Sequence, residues 1–391
     1  MNPEAPRFEG CLFSAAPWGN LSGSPICARE HLLALRGSFD EVCLVLSQHG
    51  PLEDRARAGG VPVWCAPFEF RGLRRAGLRG WLRGAGAVVR SRWTYVSGLR
   101  RRLRETPGLL HVHSRAPHLP YALLAARWAR MPAVVTIHEP WTGGGEAILD
   151  LLWAKCLATR VVFLSQAMVR QHPGWFRGGG QVVYNWHPPV AERPPAAGNP
   201  PLMALVARLG RAKGIGVFLE TCRRLRDRGT SFRAWLVGEW NSAEERREAE
   251  DFIRGQGLEP VVADRGSLAD MEPVYGSMDL LALPTRRDSF PRVVMEAMVR
   301  GIPVVASRVD GIPEMVADGE TGFLVEPEDA AGFAAATARL LADPELRARM
   351  GAAGRERARQ LFSRDAYVAA MLELYRGLPL PRRAAGEGAS A

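Results

Sequence analysis

Two acidic residues, Asp288 and Glu296, flank the start of a predicted helix in the second half of the chain. Asp288 lies in the loop before that helix, and Glu296 lies on its second turn. Between them fall the unpaired backbone N–H groups of a helix N-terminus, which attract anions because the helix dipole is positive there. Carboxylates accept hydrogen bonds from hydroxyl groups. A ligand that places an anion between two such acceptors is a nucleotide sugar, which has a diphosphate in the middle, sugar hydroxyls on one side and ribose hydroxyls on the other.

Two cations, Arg208 and Lys213, follow the first predicted strand of the second half in the run Arg-Leu-Gly-Arg-Ala-Lys-Gly. Positive side chains can stabilise the charge that develops on a leaving diphosphate. Such a pair can replace Mg²⁺, and the sequence contains no Asp-x-Asp pair to hold that ion. A pair of merely solvated surface cations is the alternative.

The segment 288–307 resembles the nucleotide-sugar motif of the retaining family 4 glycosyltransferases, whose usual form is Glu, seven residues, Glu, then Ala-x-x-x-Gly-x-Pro-Val. The likeness continues through 310–325 and upstream through 208–214, and in weaker form it covers most of the chain. Two residues depart from the motif. Asp288 replaces the usual Glu, and Pro291 stands where the family often has Gly, which removes one backbone donor from the anion site.

The resemblance implies a role for each candidate of the donor site. Glu296 would accept hydrogen bonds from the two ribose hydroxyls, Asp288 would contact hydroxyls of the transferred sugar, and the two cations would clamp the diphosphate. The alternatives are that Asp288 caps the helix and that Glu296 is solvated or pairs with Arg292 or Arg300. Further donor contacts are expected from Ser289, Phe290, Pro291, Arg292, Gly23, Glu239 and Arg265.

Three histidines, His111, His113 and His138, end two predicted strands of the first half. The His-x-His pair and the segment 136–141 resemble acceptor-side segments of the family. His113 and His138 are therefore expected on the acceptor side, and His138 joins Asp288 and the two cations as a catalytic candidate. A purely structural role at the strand ends is the alternative. No metal site is expected, because no carboxylate lies nearby at ligand spacing.

The elements that must position these residues alternate between short apolar runs and amphipathic stretches in both halves. This alternation predicts parallel sheets with helices on both faces, which bind ligands where strands end and helices begin. A glycine-rich turn, 19–23, follows the first strand and matches the family's phosphate-approaching turn in part. Strands are predicted at 10–15, 41–47, 62–66, 109–113, 133–138, 160–164, 181–184, 202–207, 233–237, 261–263, 280–283 and 302–306. Helices are predicted at 26–35, 119–130, 216–228, 243–256, 291–300, 330–342 and 344–362.

The predicted fold class is α/β, and the resemblance implies GT-B, with two doubly wound Rossmann-like domains that face each other across a cleft. Residues 1–188 would form the acceptor-binding domain, and the proline-rich residues 189–200 a linker. Residues 201–365 would form the nucleotide-sugar-binding domain. Residues 366–378 would form a last helix that, by resemblance, can cross back to the first domain, and residues 379–391 a disordered tail.

Composition narrows the class of protein. The 391 residues are 47% apolar and 24% charged, as in globular proteins. The six cysteines include no Cys-x-x-Cys pair, which argues against a zinc site or a disulfide framework and favours a reducing cytoplasm. No apolar run approaches the roughly 18 residues of a spanning helix, and the N-terminus lacks a signal-peptide core.

The net charge of +10 is concentrated in residues 71–104, which contain eleven arginines and no acidic residue. Trp and Leu residues are interleaved with these arginines, a pattern that suits an anionic membrane surface. A solvated basic helix pair that covers the core, and a nucleic-acid partner, are the alternatives. No nucleic-acid partner is expected, because the chain has no nucleic-acid fold signature.

These observations predict a metal-independent retaining glycosyltransferase that moves a hexose from a UDP- or GDP-type sugar to a hydroxyl acceptor, with no cofactor beyond that substrate. The resemblance implies that the leaving diphosphate itself deprotonates the acceptor. A lipid-linked acceptor in surface polysaccharide synthesis, and a cytoplasmic enzyme at the inner face of the cell membrane, are hypotheses from the basic segment. A nucleotide-sugar epimerase and a non-catalytic nucleotide-sugar-binding protein are the alternatives.

Overall fold

The computed structural model describes residues 7–17, 19–20, 23–66, 68, 78–113, 118–139, 145–174, 180–190 and 200–380, with the backbone alone for 78–87 and 145–147. Contacts divide the chain into two units. The first unit lies within Met1–Leu164, Val169–Asn185 and Tyr367–Ala391, and the second within Ser165–Met168 and Trp186–Ala366. Ser22, most of the predicted linker and residues 381–391 of the predicted disordered tail fall outside the described residues.

The first unit contains a seven-stranded parallel sheet in the order β3-β2-β1-β4-β5-β6-β7. Strands β4 and β5 are wholly buried, and β1 and β2 are buried over their C-terminal residues, as expected for a sheet covered on both faces. The strands are β1 (Phe8–Ala16), β2 (Phe39–Leu46), β3 (Val63–Cys65), β4 (Gly108–His113), β5 (Ala133–Ile137), β6 (Arg160–Phe163) and β7 (Gly180–Val182).

Helices connect these strands as parallel pairing requires. Helix α4 packs between α3 and α5 in one layer of the unit. The helices are α1 (Gly23–Leu35), α2 (Pro51–Ala58), α3 (Leu78–Glu105), α4 (Leu119–Ala129), α5 (Gly145–Leu157) and α6 (Gln166–Gln171).

The second unit contains a six-stranded parallel sheet in the order β10-β9-β8-β11-β12-β13. The strands are β8 (Leu202–Val206), β9 (Arg233–Val237), β10 (Val262–Gly266), β11 (Leu280–Leu283), β12 (Val304–Ser307) and β13 (Gly322–Val325). The helices of this unit are α7 (Ile215–Asp227), α8 (Ala243–Gly255), α9 (Glu272–Ser277), α10 (Arg292–Val299), α11 (Ile312–Met315), α12 (Ala330–Ala342) and α13 (Pro344–Leu361). The last helix, α14 (Arg364–Arg376), belongs to the first unit from Tyr367 onward.

Local sequence explains the helices around the core of the second unit. Phe218, Cys222 and Leu225 recur at helical spacing on α7 and are fully buried, so this stripe packs against the sheet and α12. Asp329 and Asp343 cap α12 and α13, because each carboxylate accepts a backbone N–H bond three residues later.

Strand order reverses once in each sheet, between β1 and β4 and between β8 and β11. The loops that leave the carboxyl ends of such neighbouring strands diverge and form the usual ligand crevice of an α/β sheet. In the second unit these two loops also touch. Gly214 has a φ of 74°, and a Cβ there would lie 1.8 Å from the carbonyl oxygen of Pro284. Glycine is therefore required where the loop after β8 meets the loop after β11.

The structure corrects three expectations about elements. The alternative of a basic helix pair over residues 71–104 is wrong within the described part, where residues 78–105 form the single helix α3. Strand β13 and helix α9 were not predicted, and α9 contains Pro and Gly, which lower helical propensity. The segment Ser165–Met168 is grouped with the second unit, where Glu314 accepts backbone N–H bonds from Gln166 and Ala167.

A hydrogen-bonded network of aromatic side chains lies in the core of the first unit and includes residues of α14. Tyr367 Oη lies 2.7 Å from Nδ1 of His31, and Tyr375 Oη lies 3.0 Å from its Nε2. Tyr375 Oη also lies 2.5 Å from Nδ1 of His111. Both tyrosine hydroxyls are thus paired, which satisfies polar groups that would be costly to bury alone.

Burial keeps the histidines of this core neutral. It lowers the pKa of His31 and of His118 to about 3, and it lowers the pKa of His111 and His113 well below the usual value. The unfolded chain binds protons at these residues near pH 6.5 and the folded chain does not. Stability from these groups is therefore complete above pH 6.5 and is lost as the pH falls below it.

We expect acid destabilisation to begin in a range where carboxylates are still ionised. Between pH 6.5 and 5, each buried histidine should lower the free energy of unfolding by up to about 1.4 kcal/mol per pH unit. Replacing His31 with Gln should remove one such contribution. Calorimetry of the first unit's transition at several pH values checks this. Equal pH slopes in wild type and His31→Gln would contradict it.

Two glycine-to-alanine substitutions in the second unit distinguish the cost of a left-handed backbone from the cost of a clash with a neighbouring loop. Gly229 has a φ of 70°, close to that of Gly214, but a Cβ there would meet no atom within 4 Å. Gly229→Ala should cost about 1–2 kcal/mol from the left-handed conformation alone. Gly214→Ala should cost about 1–3 kcal/mol more because of the clash with Pro284. Urea unfolding measures both losses, and equal values would disprove the close approach.

Candidate active site

The loops after β8 and β11 bring Lys213 and Asp288 together at the point where strand order reverses in the second unit. Lys213 Nζ lies 2.5 Å from Asp288 Oδ2, and both side chains are mostly buried. The carbonyl of Ala212 accepts hydrogen bonds from the Thr285 hydroxyl and the Arg286 backbone N–H, which ties the two loops together. An ammonium group has three donors, so Lys213 can hold Asp288 and still donate to an anion.

The alternative that Asp288 caps the following helix is wrong. Helix α10 has Pro291 at its N-cap with a ψ of 118°, and no side chain caps it. Pro291 thus lies one position before the first helical residue, Arg292, whereas the predicted helix 291–300 placed it at the first helical position. The Asp288 backbone N–H donates instead to Asp310 Oδ2 at 2.8 Å.

Asp310 and Gly311 fix the loop that carries Asp288. Asp310 has a φ of 46°, a conformation that Asp tolerates better than most residues. A Cβ at Gly311 would lie 2.1 Å from the Ser289 carbonyl oxygen, so glycine is needed where the two segments pass. The Asp-Gly pair belongs to the segment that carries the resemblance, but only the structure reveals its contacts.

Ser289 and Phe290 lie at the N-terminus of α10, and both are buried. Phe290 packs edge-on against Phe362, with ring centroids 5.6 Å apart. The Ser289 hydroxyl has no hydrogen-bond partner among the described residues. A buried unpaired hydroxyl is costly, and at a helix N-terminus it is a ready donor to a bound anion.

Glu296 is held by a tyrosine that the sequence analysis missed. The Tyr275 hydroxyl donates to Glu296 Oε2 at 2.6 Å, and an Arg292 amino group lies 3.4 Å from Oε1. Burial and the Glu296 charge raise the pKa of Tyr275 well above its usual value, so it remains a donor. Arg300 stacks on the Tyr275 ring at 4.5 Å and binds the Glu296 backbone carbonyl. Tyr275 lies on the unpredicted helix α9, which is why no spacing rule found it.

Arg208, Glu239 and Arg265 lie around the same edge of the second sheet but are not joined to Lys213 or Asp288. Arg208 is exposed in the loop after β8, and Glu239 is exposed in the loop after β9. The Glu239 carbonyl accepts a hydrogen bond from Leu209 N–H, which links these two loops. The Arg265 guanidinium stacks over the Trp235 ring at 4.8 Å.

The remaining candidates lie in the first unit. Gly23 is the first residue of α1, and a Cβ there would meet no atom of the described residues within 4 Å. His113 ends β4, and His138 follows β5. His113 Nδ1 lies 3.2 Å from His138 Nε2, so the structure joins the two predicted acceptor-side residues. His111 lies within the buried tyrosine network instead.

Comparison with known proteins places the chain in a family. The model of glycosyl transferases group 1 matches residues 200–343, and that of the glycosyl transferase 4-like domain matches residues 22–186. A D-inositol 3-phosphate glycosyltransferase of Corynebacterium efficiens is 36% identical over 200 residues, which cover 47% of this chain and 46% of the relative. The lipopolysaccharide core biosynthesis glycosyltransferase LpsE of Rhizobium meliloti is 30% identical over 179 residues, 46% of this chain and 51% of LpsE. The matches thus span about half the length of these curated relatives.

Solved structures agree on the fold over nearly the whole chain. The structure of Anabaena Alr3699/HepE with UDP-glucose covers 94% of this chain and 100% of its own, with a TM-score of 0.79 and 21% identity. The lipopolysaccharide outer core galactosyltransferase WaaB covers 95% and 100%, with a TM-score of 0.68 and 17% identity. At these identities the likeness shows the fold. The two family models fall one on each half of the chain, and the chain belongs to the group 1 glycosyltransferases with the GT-B fold.

Proposed function

We propose that the protein is a retaining glycosyltransferase that moves a sugar from a nucleoside-diphosphate sugar to a hydroxyl acceptor. The observation that carries this proposal is the Lys213–Asp288 pair beside the N-terminus of α10, where strand order reverses in the second sheet. The Lys213 cation, the N-terminus of α10 and the Ser289 hydroxyl, which has no partner in the described part of the chain, lie there together and suit a diphosphate.

Different residues of the site would bind different parts of the nucleotide sugar. Lys213, Arg208 and the N-terminus of α10 would bind the diphosphate, and Ser289 would add a hydroxyl donor. Glu296, held by Tyr275, would accept hydrogen bonds from the ribose hydroxyls. Asp288 would do the same for hydroxyls of the transferred sugar. Phe290, Pro291 and Arg292 would shape this edge, and Gly23, Glu239 and Arg265 would contact other parts of the donor.

Catalysis would come from charge stabilisation that grows as the diphosphate leaves. Lys213 and Arg208 bind the leaving group more strongly once it carries its full negative charge, which is differential binding of the transition state. Two cations can supply this without a metal ion. The family resemblance adds that the departing diphosphate removes the acceptor proton on the same sugar face, which would retain the anomeric configuration.

Known relatives suggest which substrates to test first. The matched relatives are named as a D-inositol 3-phosphate glycosyltransferase and as a glycosyltransferase of lipopolysaccharide core biosynthesis. HepE, whose fold is similar, was solved in complex with UDP-glucose. UDP-glucose is therefore the first donor to test, and glycoconjugates or lipid-linked saccharides are the first acceptors.

A panel of UDP- and GDP-sugars in EDTA tests the donor site. Wild type should release one nucleoside diphosphate. Lys213→Ala should lower kcat/KM about 10²- to 10³-fold by removing transition-state charge stabilisation. Glu296→Ala should raise the donor KM about 10- to 100-fold, as expected for hydrogen bonds to a charged group.

Arg211→Ala is the matched control for this experiment. Arg211 lies in the same short turn as Lys213 but is exposed and pairs with Glu248, so its loss should leave kcat/KM nearly unchanged. An isomerised donor would indicate an epimerase, and donor binding without turnover would indicate a binding protein. Either result, or equal losses in Arg211→Ala and Lys213→Ala, would overturn the proposal.

We further propose that the first unit rests on an anionic membrane at the cytoplasmic face. The outer side of the α3–α5 layer exposes large apolar side chains. Trp93 is 62% exposed, and its ring lies 6.0 Å from that of Trp128. Arg90 and Arg101 are exposed on the same helix α3 as Trp93. Exposed apolar and basic side chains together are the two features of interfacial binding. The other exposed apolar residues are Val89, Ile148, Leu149, Leu152 and Trp153. No described helix is both long and apolar enough to cross a bilayer.

Vesicle sedimentation tests the membrane surface. The double variant Arg90→Glu/Arg101→Glu should weaken binding to phosphatidylglycerol vesicles about tenfold or more, since each basic residue near such a surface contributes about 1 kcal/mol. Arg246→Glu/Arg254→Glu is the matched control, because these exposed arginines lie on α8 of the second unit. Wild type should bind pure phosphatidylcholine vesicles only weakly. Equal binding by both double variants would contradict the proposal.

A further inference from the structure

We propose that Tyr375 of α14 is a positioning residue for His138, acting through His111 and His113, and that His113 holds the proton of His138 on Nδ1. This inference rests on the proposed function, because it assigns how His138 serves the acceptor side. It concerns a chain of contacts that runs from α14 through the ends of β4 and β5.

In the first step, the rings of His111 and His31 are each held by hydrogen bonds at both nitrogens. His111 bonds to Tyr375 Oη through Nδ1 and to Thr136 Oγ1 through Nε2, the latter at 2.7 Å. His31 bonds to Tyr367 and Tyr375 through its two nitrogens. A neutral imidazole has one donor and one acceptor, so each ring is saturated. Neither ring can flip without losing a buried hydrogen bond.

The same cluster also resembles a metal site, but its geometry favours hydrogen bonds. Nitrogens of His31, His111 and His113 lie within 4.8 Å of one another. However, the Tyr375 hydroxyl lies at hydrogen-bond distance from two of these rings. A metal ion would need histidine nitrogens at about 2.0–2.1 Å. All ring nitrogens of His31 and His111 are hydrogen-bonded, so each of these rings would lose one hydrogen bond to bind an ion. The hydrogen bonds therefore account for how these two rings are held.

The second step runs from His111 to His113. Their rings stack with centroids 4.5 Å apart and an angle of 18° between the planes. The His31 ring packs against His113 as well, at 5.0 Å. His113 is almost fully buried, so its ring plane is set by rings that are themselves fixed by the tyrosine hydroxyls. This is how a hydroxyl on α14 can orient a side chain that it does not touch.

The third step fixes the proton of His138. His113 Nε2 is buried and has no partner among the described residues, while Nδ1 faces His138 Nε2 at 3.2 Å. A buried N–H without an acceptor is rarer and costlier than a buried acceptor without a donor. The proton of neutral His113 therefore lies on Nδ1 and is donated to His138 Nε2. Burial lowers the pKa of His113, which keeps it neutral.

A chemical consequence follows for the reaction. With Nε2 of His138 accepting from His113, the proton of neutral His138 lies on Nδ1. His138 then acts as a hydrogen-bond donor and not as a general base through Nε2. This agrees with a mechanism in which the departing diphosphate, and no protein side chain, removes the acceptor proton.

Nitrogen-15 NMR of the full chain with labelled histidine reads this proton directly. The chain has eight histidines, and His138→Gln identifies the His138 signals by their loss. In wild type at pH 7.5 without donor, His138 should show a protonated Nδ1 and a bare Nε2. His113→Phe keeps a ring for stacking but removes the N–H group that donates to His138 Nε2. The proton of His138 should then no longer prefer Nδ1 in this variant.

Two tyrosine variants test the positioning step. Tyr375→Phe should shift the His138 signals and raise the acceptor KM about fivefold, the cost of roughly one hydrogen bond. Tyr367→Phe is the comparison variant, because it removes one of the two hydrogen bonds of His31, whereas Tyr375→Phe removes one from His31 and one from His111. Tyr367→Phe should therefore shift the His138 signals less than Tyr375→Phe.

A protonated Nε2 on His138 in the wild type would overturn the inference. This measurement uses the wild-type protein, and His138→Gln is the one variant that must fold, because it assigns the His138 signals. Unchanged His138 signals in Tyr375→Phe would overturn the positioning step. Because the spectra are recorded without donor, they decide the inference even if the protein has no transferase activity. Turnover with the opposite tautomer would reject this inference and leave the proposed function intact.

Discussion

The ion pair between Lys213 and Asp288 is the interaction on which the candidate donor site depends. The two residues are 75 positions apart, and they meet because β8 and β11 are neighbours at the reversal of strand order. Gly214 allows their loops to touch, and Asp310 holds the backbone of Asp288. A positive group is thus fixed beside the N-terminus of α10 before any substrate arrives, which is preorganisation of the kind that charge stabilisation requires.

The two units satisfy their buried polar groups in different ways. In the second unit, carboxylates beside the site are held by a lysine, a tyrosine and arginines, and Ser289 keeps one hydroxyl unpaired in the described part. In the first unit, neutral histidines pair with tyrosines of α14. The charged groups of the second unit suit an anionic donor, and the neutral groups of the first unit suit an uncharged hydroxyl acceptor. The chemistry of each unit therefore agrees with the half of the reaction proposed for it.

The sequence predicted the parallel sheets and most elements, because buried strands and amphipathic helices leave clear periodic patterns. It placed Lys213 and Asp288 on loops after strands, and the structure brings them together. It could not reveal Tyr275, because that residue reaches Glu296 from a short helix with weak helical propensity. It also could not reveal His31, Tyr367 or Tyr375, since contacts between residues more than 300 positions apart follow from packing alone. Local sequence left a helix cap as the alternative role for Asp288, and the cap geometry at Pro291 excluded it.

Time-resolved proton NMR of donor turnover in EDTA tests the central claim most directly. The spectra follow the donor and the anomeric proton of the first product as it forms. The account predicts that a nucleoside diphosphate is released without metal and that the product first appears with the anomeric configuration of the donor. A product that first appears with the opposite configuration, or turnover that begins only when a divalent metal is restored, would contradict it.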